Sequence, residues 1–161
     1  MSRSRIKLTY EDYRNLPESE TRRYELLEGE LVMVPSPTTY HQLISRNLLF
    51  SLHRFVKETG AGTVLPAPCD VVLSEHTVLQ PDILFVSRER EAIITRENVR
   101  GAPDLVIEVL SPGTADRDRT TKRSLYAQHG VGECWIVDPD MKTVEVLELG
   151  ELGFRSIAVY A

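Results

Sequence analysis

Polar and apolar positions change period several times along this chain, and each change marks an expected element. TYEDYRNLP at 9–17 has the form of a short helix, with Thr9 placed as N-cap, Asp12 at the third helical position and Pro17 just past the end. RRYELLEGELVMVP at 22–35 alternates with a period of two around EG, where Gly29 can take the positive φ of a tight hairpin turn. From about Thr39 to Glu58 the apolar residues fall at 43, 44, 48, 49, 52, 55 and 56, the stripe of a long helix that Gly60 ends.

Strand patterns dominate the remainder. GTVLPAPCDVVLS and VLQPDILFVS are rich in Val, Leu and Ile, and Pro66, Pro68 and Pro81 mark bends or sheet edges within them. Ser87 to Ala102 is a charged connection with room for one turn of helix. PDLVIEVL reads as a strand, and a helix of about Thr114 to His129, stopped by Gly130, follows it. CWIVD, KTVEVLEL and FRSIAVY complete the set. The expected class is α+β, a mixed layer structure with one long helix on a sheet and a second helix near its edge.

Composition narrows this picture. With 161 residues, 42% of them hydrophobic, the chain can bury roughly 70% of its extended surface. No repeat, low-complexity segment or Gly/Ser linker divides it, so residues 1–161 are expected to form a single domain. No apolar run approaches the roughly 20 residues of a membrane span, and no apolar stretch follows a basic N-terminal segment; a soluble, cytoplasmic protein is the expectation. Cys69 and Cys134 lie far apart without CxxC spacing, which favours reduced, buried thiols over a disulfide or a zinc site. A net charge of −5 argues against coating nucleic acid by bulk attraction, so any polyanion would be held locally.

The chemistry begins with Glu108, a carboxylate inside the apolar run of PDLVIEVLSP. Burying it ionised costs several kcal/mol unless it is paired, protonated or bound to a metal. Asp82 in QPDILF and Lys122 in the next helix are the other polar residues that stand out. If the strands holding Asp82 and Glu108 are neighbours, the carboxylates converge and repel unless a cation sits with them, and Mg2+ suits such oxygen ligands. The backbone carbonyl of Val109 is a candidate third ligand. Lys122 could then orient the attacking water or stabilise developing negative charge.

Plainer readings stand beside these. Asp82 could be a turn residue after Pro81, Glu108 could pair with Arg117 or Arg119, and Lys122 could belong to a solvated basic face. Arg117, Arg119, Lys122 and Arg123 form the densest basic cluster, suited to phosphate or to solvent. His41 and His53 lie twelve residues apart on one helix, about 120° around its axis, and so do not form a metal pair. His41 is left to cap, pack or assist the site, while His53, His76 and His129 are expected on the surface. Ser36 and Ser111 flank prolines outside any GxSxG turn, which weakens a serine hydrolase reading.

YELLEGEL at 24–31, His41 after VPSPTTY, QPDILFV at 80–86, GAPDLVIEVLSP at 101–112, DRTTKRSLYAQHGVGECWIVDP at 118–139 and TVEVL at 143–147 together resemble the Uma-two-type restriction endonucleases, a branch of the PD-(D/E)XK nuclease superfamily. The likeness runs nearly end to end. It implies a restriction-endonuclease-like fold: a central mixed sheet flanked by a long helix and a shorter one, with added hairpins. The implied activity is metal-dependent phosphodiester cleavage of DNA with Mg2+ (or Mn2+), with Asp82 and Glu108 as the acidic residues of the motif. Leu110 stands where the superfamily's lysine would, and the family pattern transfers that role to Lys122. Glu25 and His41 match family positions as auxiliary residues. A homodimer and a further C-terminal segment are also implied. The rival expectation, from the acidic charge and the lack of a DNA-reading motif, is a nuclease-fold module that binds a partner or itself without useful catalysis.

Overall fold

Local signals and local structure agree at the N-terminal end. The computed structural model describes residues 5–18, 23–112 and 115–161, with the side chains of Arg117 and Asp118 outside the description. Helix α1 (Tyr10–Arg14) opens with a capping box in which the Thr9 hydroxyl accepts from the Asp12 N–H and Asp12 accepts from the Thr9 N–H. Strands β1 (Arg23–Leu27) and β2 (Glu30–Val34) pair antiparallel, and the two linking residues, Glu28 and Gly29, have φ of 50° and 87°. That is the pair of left-handed conformers a two-residue hairpin needs. Helix α2 (Thr39–Thr59) is capped by Thr38 and ends at left-handed Gly60.

The next two expected strand segments each split at proline. Strand β3 (Gly62–Pro66) ends on Pro66 and β4 (Val71–Ser74) follows Pro68, while β5 (Thr77–Leu79) and β6 (Ile83–Ser87) flank Pro81. The halves go to different sheets. One sheet runs β2-β1-β5-β4-β7, where β7 is Val99–Arg100. The other runs β11-β10-β9-β8-β6-β3, where β8 is Leu105–Val109, β9 is Glu133–Asp138, β10 is Thr143–Gly150 and β11 is Gly153–Tyr160. β4–β7 and β8–β9 are parallel pairs, so both sheets are mixed. The charged connection holds a 3₁₀ turn, Arg88–Ile93.

The expected helix at 114–129 begins at Thr114, outside the described residues, and is not one regular helix. It comprises α3 (Ala115–Arg117), a π-helical turn (Asp118–Lys122) and α4 (Arg123–Gln128), with Gly130 at φ 88° beyond. Three apolar clusters order the layers. Leu27, Val71 and Leu79 of the first sheet share a core with Leu84, Val106, Ile136 and Leu147 of the second and with Leu125 and Tyr126 of α4. α2 covers the opposite face of the second sheet through Leu48, Leu52 and Val56 against Ile83, Ile107 and Val109. α1 covers the outer face of the first sheet, where Tyr10 and Tyr13 meet Leu26, Val72 and Val78. All five residues of β8 are buried, as layers on both faces require.

Candidate active site

Alternation along two strands aims two carboxylates at each other. Glu25 shares a face of β1 with Leu27, and Glu108 shares a face of β8 with Val106 and Leu110; all three apolar neighbours belong to the core between the sheets. Glu25 and Glu108 are almost fully buried, at 1% and 3% exposure. Lys122 lies between them, its Nζ 2.6 Å from Glu108 Oε1 and 2.9 Å from Glu25 Oε2. This ammonium is the partner that the buried charge of PDLVIEVLSP demands.

Neutral donors complete the arrangement. The Tyr126 hydroxyl donates to Glu108 Oε1 at 2.6 Å, and the Gln80 backbone N–H donates to Glu25 Oε2 at 2.7 Å. Tyr126 follows Lys122 by four residues, one helical turn, so both side chains project to the same side. Burial, reinforced by the charges of Glu108 and Glu25, raises the Tyr126 pKa well above that of an ordinary phenol. The hydroxyl therefore remains a donor.

Asp82 stands immediately before β6, at the end of its pairing with β8. Ile83 lies opposite Ile107, so Asp82 stands beside Glu108 where the backbone ladder stops. Its Oδ2 carries the ladder one step further by accepting the Val109 N–H at 2.7 Å, and its Oδ1 is 3.3 Å from Nε2 of His41. His41 reaches this point from the first turn of α2, where its own N–H is held by Thr38. Glu25, His41, Asp82, Glu108, Val109 and Lys122 line one cavity of about 40 Å3, room for a small ion or water. A cleft of about 770 Å3 beside α2 and another of about 460 Å3 among Tyr10, Tyr13 and Tyr24 adjoin it.

The oxygen-rich lining is hard-ligand chemistry. Among the described residues no three His, Cys, Asp or Glu side chains gather into a metal-binding group, so any ion here would rely on two carboxylates, backbone oxygen and water.

All five side chains expected at the site, Asp82, Glu108, Lys122, Glu25 and His41, meet at this cavity, together with Val109. Of the described side chains of the basic cluster, Lys122 alone reaches it. Arg119 is ion-paired with Asp138, and neither it nor Arg123 lines the cavity; the Arg117 side chain lies outside the described residues. Glu108 takes Lys122, not Arg119, as its cationic partner. His53 is exposed as expected, whereas His129 is half-buried and so is His76, whose Nδ1 is 2.9 Å from the Leu8 carbonyl oxygen. Neither cysteine is in a disulfide; Cys134 is buried, and half-buried Cys69 has its pKa raised by burial and then by Asp70. Tyr126, Gln80 and Arg23 were not expected in this region. Spacing alone could have indicated two of them: Tyr126 by its four-residue step from Lys122, and Arg23 by its two-residue step from Glu25.

Known proteins share this architecture. The family model Uma2, described as putative restriction endonuclease, matches residues 10–159. No curated protein matches the chain. Among solved structures, a putative nuclease belonging to DUF820 from Anabaena variabilis superposes with a TM-score of 0.78 at 24% identity, covering 95% of this chain and 84% of that one. This likeness establishes the fold. Among the described residues no helix is long and apolar enough to cross a membrane.

Proposed function

The chain belongs to the Uma2 family of restriction-endonuclease type, and from that membership we propose that it is a metal-dependent endonuclease hydrolysing phosphodiester bonds of DNA. One observation carries the reading: Asp82 and Glu108 leave adjoining strands into a single cavity with Lys122. Asp82, Glu108 and the Val109 carbonyl would hold Mg2+ or Mn2+, a donor set that the smaller ion accepts alongside several waters. When bound, such an ion supplies an acidified water and neutralises charge on the phosphate.

The protein's own groups do the rest. Lys122 compensates Glu25 and Glu108 and places a fixed positive charge beside the carboxylates. Tyr126 and Lys122 together fix the orientation of Glu108 through one oxygen. His41 and the Val109 N–H fix Asp82 from two directions. The test is cleavage of varied DNA substrates with and without Mg2+. Stimulation that Glu108→Gln and Lys122→Ala both abolish is expected, and cleavage surviving both removes these residues from the mechanism. Association into a homodimer, implied by the family resemblance, is checked by solution mass across a concentration series.

A second reading rests on the closure of the ion network. Lys122 already compensates two buried carboxylates, which also describes a structural module that binds a partner without turnover. That reading requires no metal-dependent cleavage from clean protein on any DNA or RNA substrate.

A further inference from the structure

Arg23 and Glu25 lie two residues apart in β1 and so share the strand face that looks toward the second sheet. Glu25 sits at the bottom of that face, and half-buried Arg23 sits at its rim. Arg23 borders the carboxylate cavity, the α2 cleft and the tyrosine cleft, and so stands where all three meet. At the carboxylate cavity itself Lys122 contacts Glu25 and Glu108, and the His41 ring contacts Asp82. Arg23 has no ion pair among the described residues.

An anion entering this region meets three carboxylates, and Arg23 offers it a guanidinium fork matched to phosphate. The clefts on either side are suited to the other parts of a nucleotide. Tyr10, Tyr13 and Tyr24 border one, and Leu43, Pro66 and Pro68 border the other, so both supply apolar or aromatic surface for base and sugar. Base faces are exposed for such contact in a single strand and stacked away in a duplex.

We propose that Arg23 is the phosphate clamp of a single-stranded nucleic-acid track, running from the tyrosine cleft past the carboxylate cavity into the α2 cleft. The proposal rests on the nuclease reading of the cavity and names the form of substrate that it takes. Arg23 fixes one phosphodiester at the junction, and the flanking nucleotides lie in the two clefts.

The test is fluorescence anisotropy with a labelled single-stranded DNA decamer and its duplex, in Ca2+, for wild type, Arg23→Ala, Arg23→Lys and Arg54→Ala. Arg54 pairs with Glu58 on α2 and borders none of the three cavities, so it serves as the charge control. Arg23→Ala is expected to bind the single strand about tenfold more weakly, as for loss of one charged hydrogen-bonded contact. Its slope of log affinity against log salt should fall by about 0.7, the loss of one single-strand phosphate contact. Arg23→Lys should recover part of the affinity and Arg54→Ala should match wild type. Unchanged binding by Arg23→Ala, or duplex affinity equal to or above that of the single strand, overturns the track. If wild type also cleaves in Mg2+, the nuclease reading survives that failure. Wild type that neither binds nor cleaves either form removes both.

Discussion

The Tyr126 hydroxyl donates a 2.6 Å hydrogen bond to Oε1 of Glu108, the oxygen that Lys122 Nζ also contacts at 2.6 Å. Two donors on one oxygen fix the plane of the carboxylate. The contact also carries a pH signature. Because burial raises the Tyr126 pKa from its ordinary value of 10, the folded chain keeps a proton that the unfolded chain releases above that pH. This stabilisation is fully present below pH 10 and is lost as pH rises. Half-buried Tyr13, raised first by desolvation and then by Asp70, shifts in the same direction and adds to the loss.

Unfolding free energies from denaturant titrations between pH 8 and 11 should therefore fall above pH 10, by up to about 1.4 kcal/mol per pH unit for Tyr126, with a smaller, solvent-screened share from Tyr13. Tyr126→Phe keeps the ring and removes the hydroxyl. At pH 8 it should cost about 2 kcal/mol, the value of a hydrogen bond to a charged group, and it should flatten the alkaline slope. An unchanged slope would show that the phenol is not the group holding the proton.

Replacing Lys122 by Met preserves much of the side-chain length and leaves Glu25 and Glu108 without their cation. Both carboxylates are buried, so a loss of about 3–5 kcal/mol is expected in urea unfolding, far above that of an exposed lysine. Adding Glu25→Gln should restore part of the loss, because one of the two uncompensated charges is then absent. Additive losses in the double variant would mean that the two side chains are not coupled.

Much of this arrangement was legible in the sequence because its signals are local. The capping box at Thr9 and Asp12, the turn at Glu28 and Gly29, and the helix stop at Gly60 each lie within a few residues of the structure that they specify. Glu108 was conspicuous because a charge in an apolar run needs a partner. Its partners were harder to assign, since Lys122 is one of several basic residues in a row and Tyr126 looks like any core aromatic. The division into two sheets was hidden for a different reason. Pro66, Pro68 and Pro81 mark breaks, and only long-range pairing decides which sheet each half joins. Likewise Arg119 is drawn to Asp138 nineteen residues away, a contact that no periodicity announces. The π-helical turn at Asp118–Lys122 interrupts what the apolar pattern suggested was a single helix.

Gly62 provides a test of the register that delivers Asp82. It pairs with Ser87 at one end of the β3–β6 ladder, whose other end lies at Ile83, next to Asp82. A Cβ at Gly62 would fall 2.1 Å from the Val86 carbonyl oxygen and 2.9 Å from the Phe85 ring. Backbone cannot yield as a flexible side chain does, so Gly62→Ala should destabilise by at least about 1–3 kcal/mol in urea unfolding. Neutral behaviour would mean that the two strands can separate there without cost.

Asp82→Asn separates the fold from the proposed ion site. The Val109 N–H is held by Asp82 Oδ2, and the asparagine carbonyl oxygen can accept the same bond, so the strand end should persist. Its amide lacks the charge that draws a divalent ion, and its nitrogen cannot act as a hard oxygen ligand. Calorimetric titration with Mg2+ or Mn2+ should show heat of binding for wild type and at least about a tenfold loss of affinity for the variant, a change of about 1.4 kcal/mol. The thermal midpoints of the two metal-free proteins should stay close. Equal metal affinity in both would exclude Asp82 as a ligand even if cleavage were impaired, because the defect would then lie in holding the phosphate or the water.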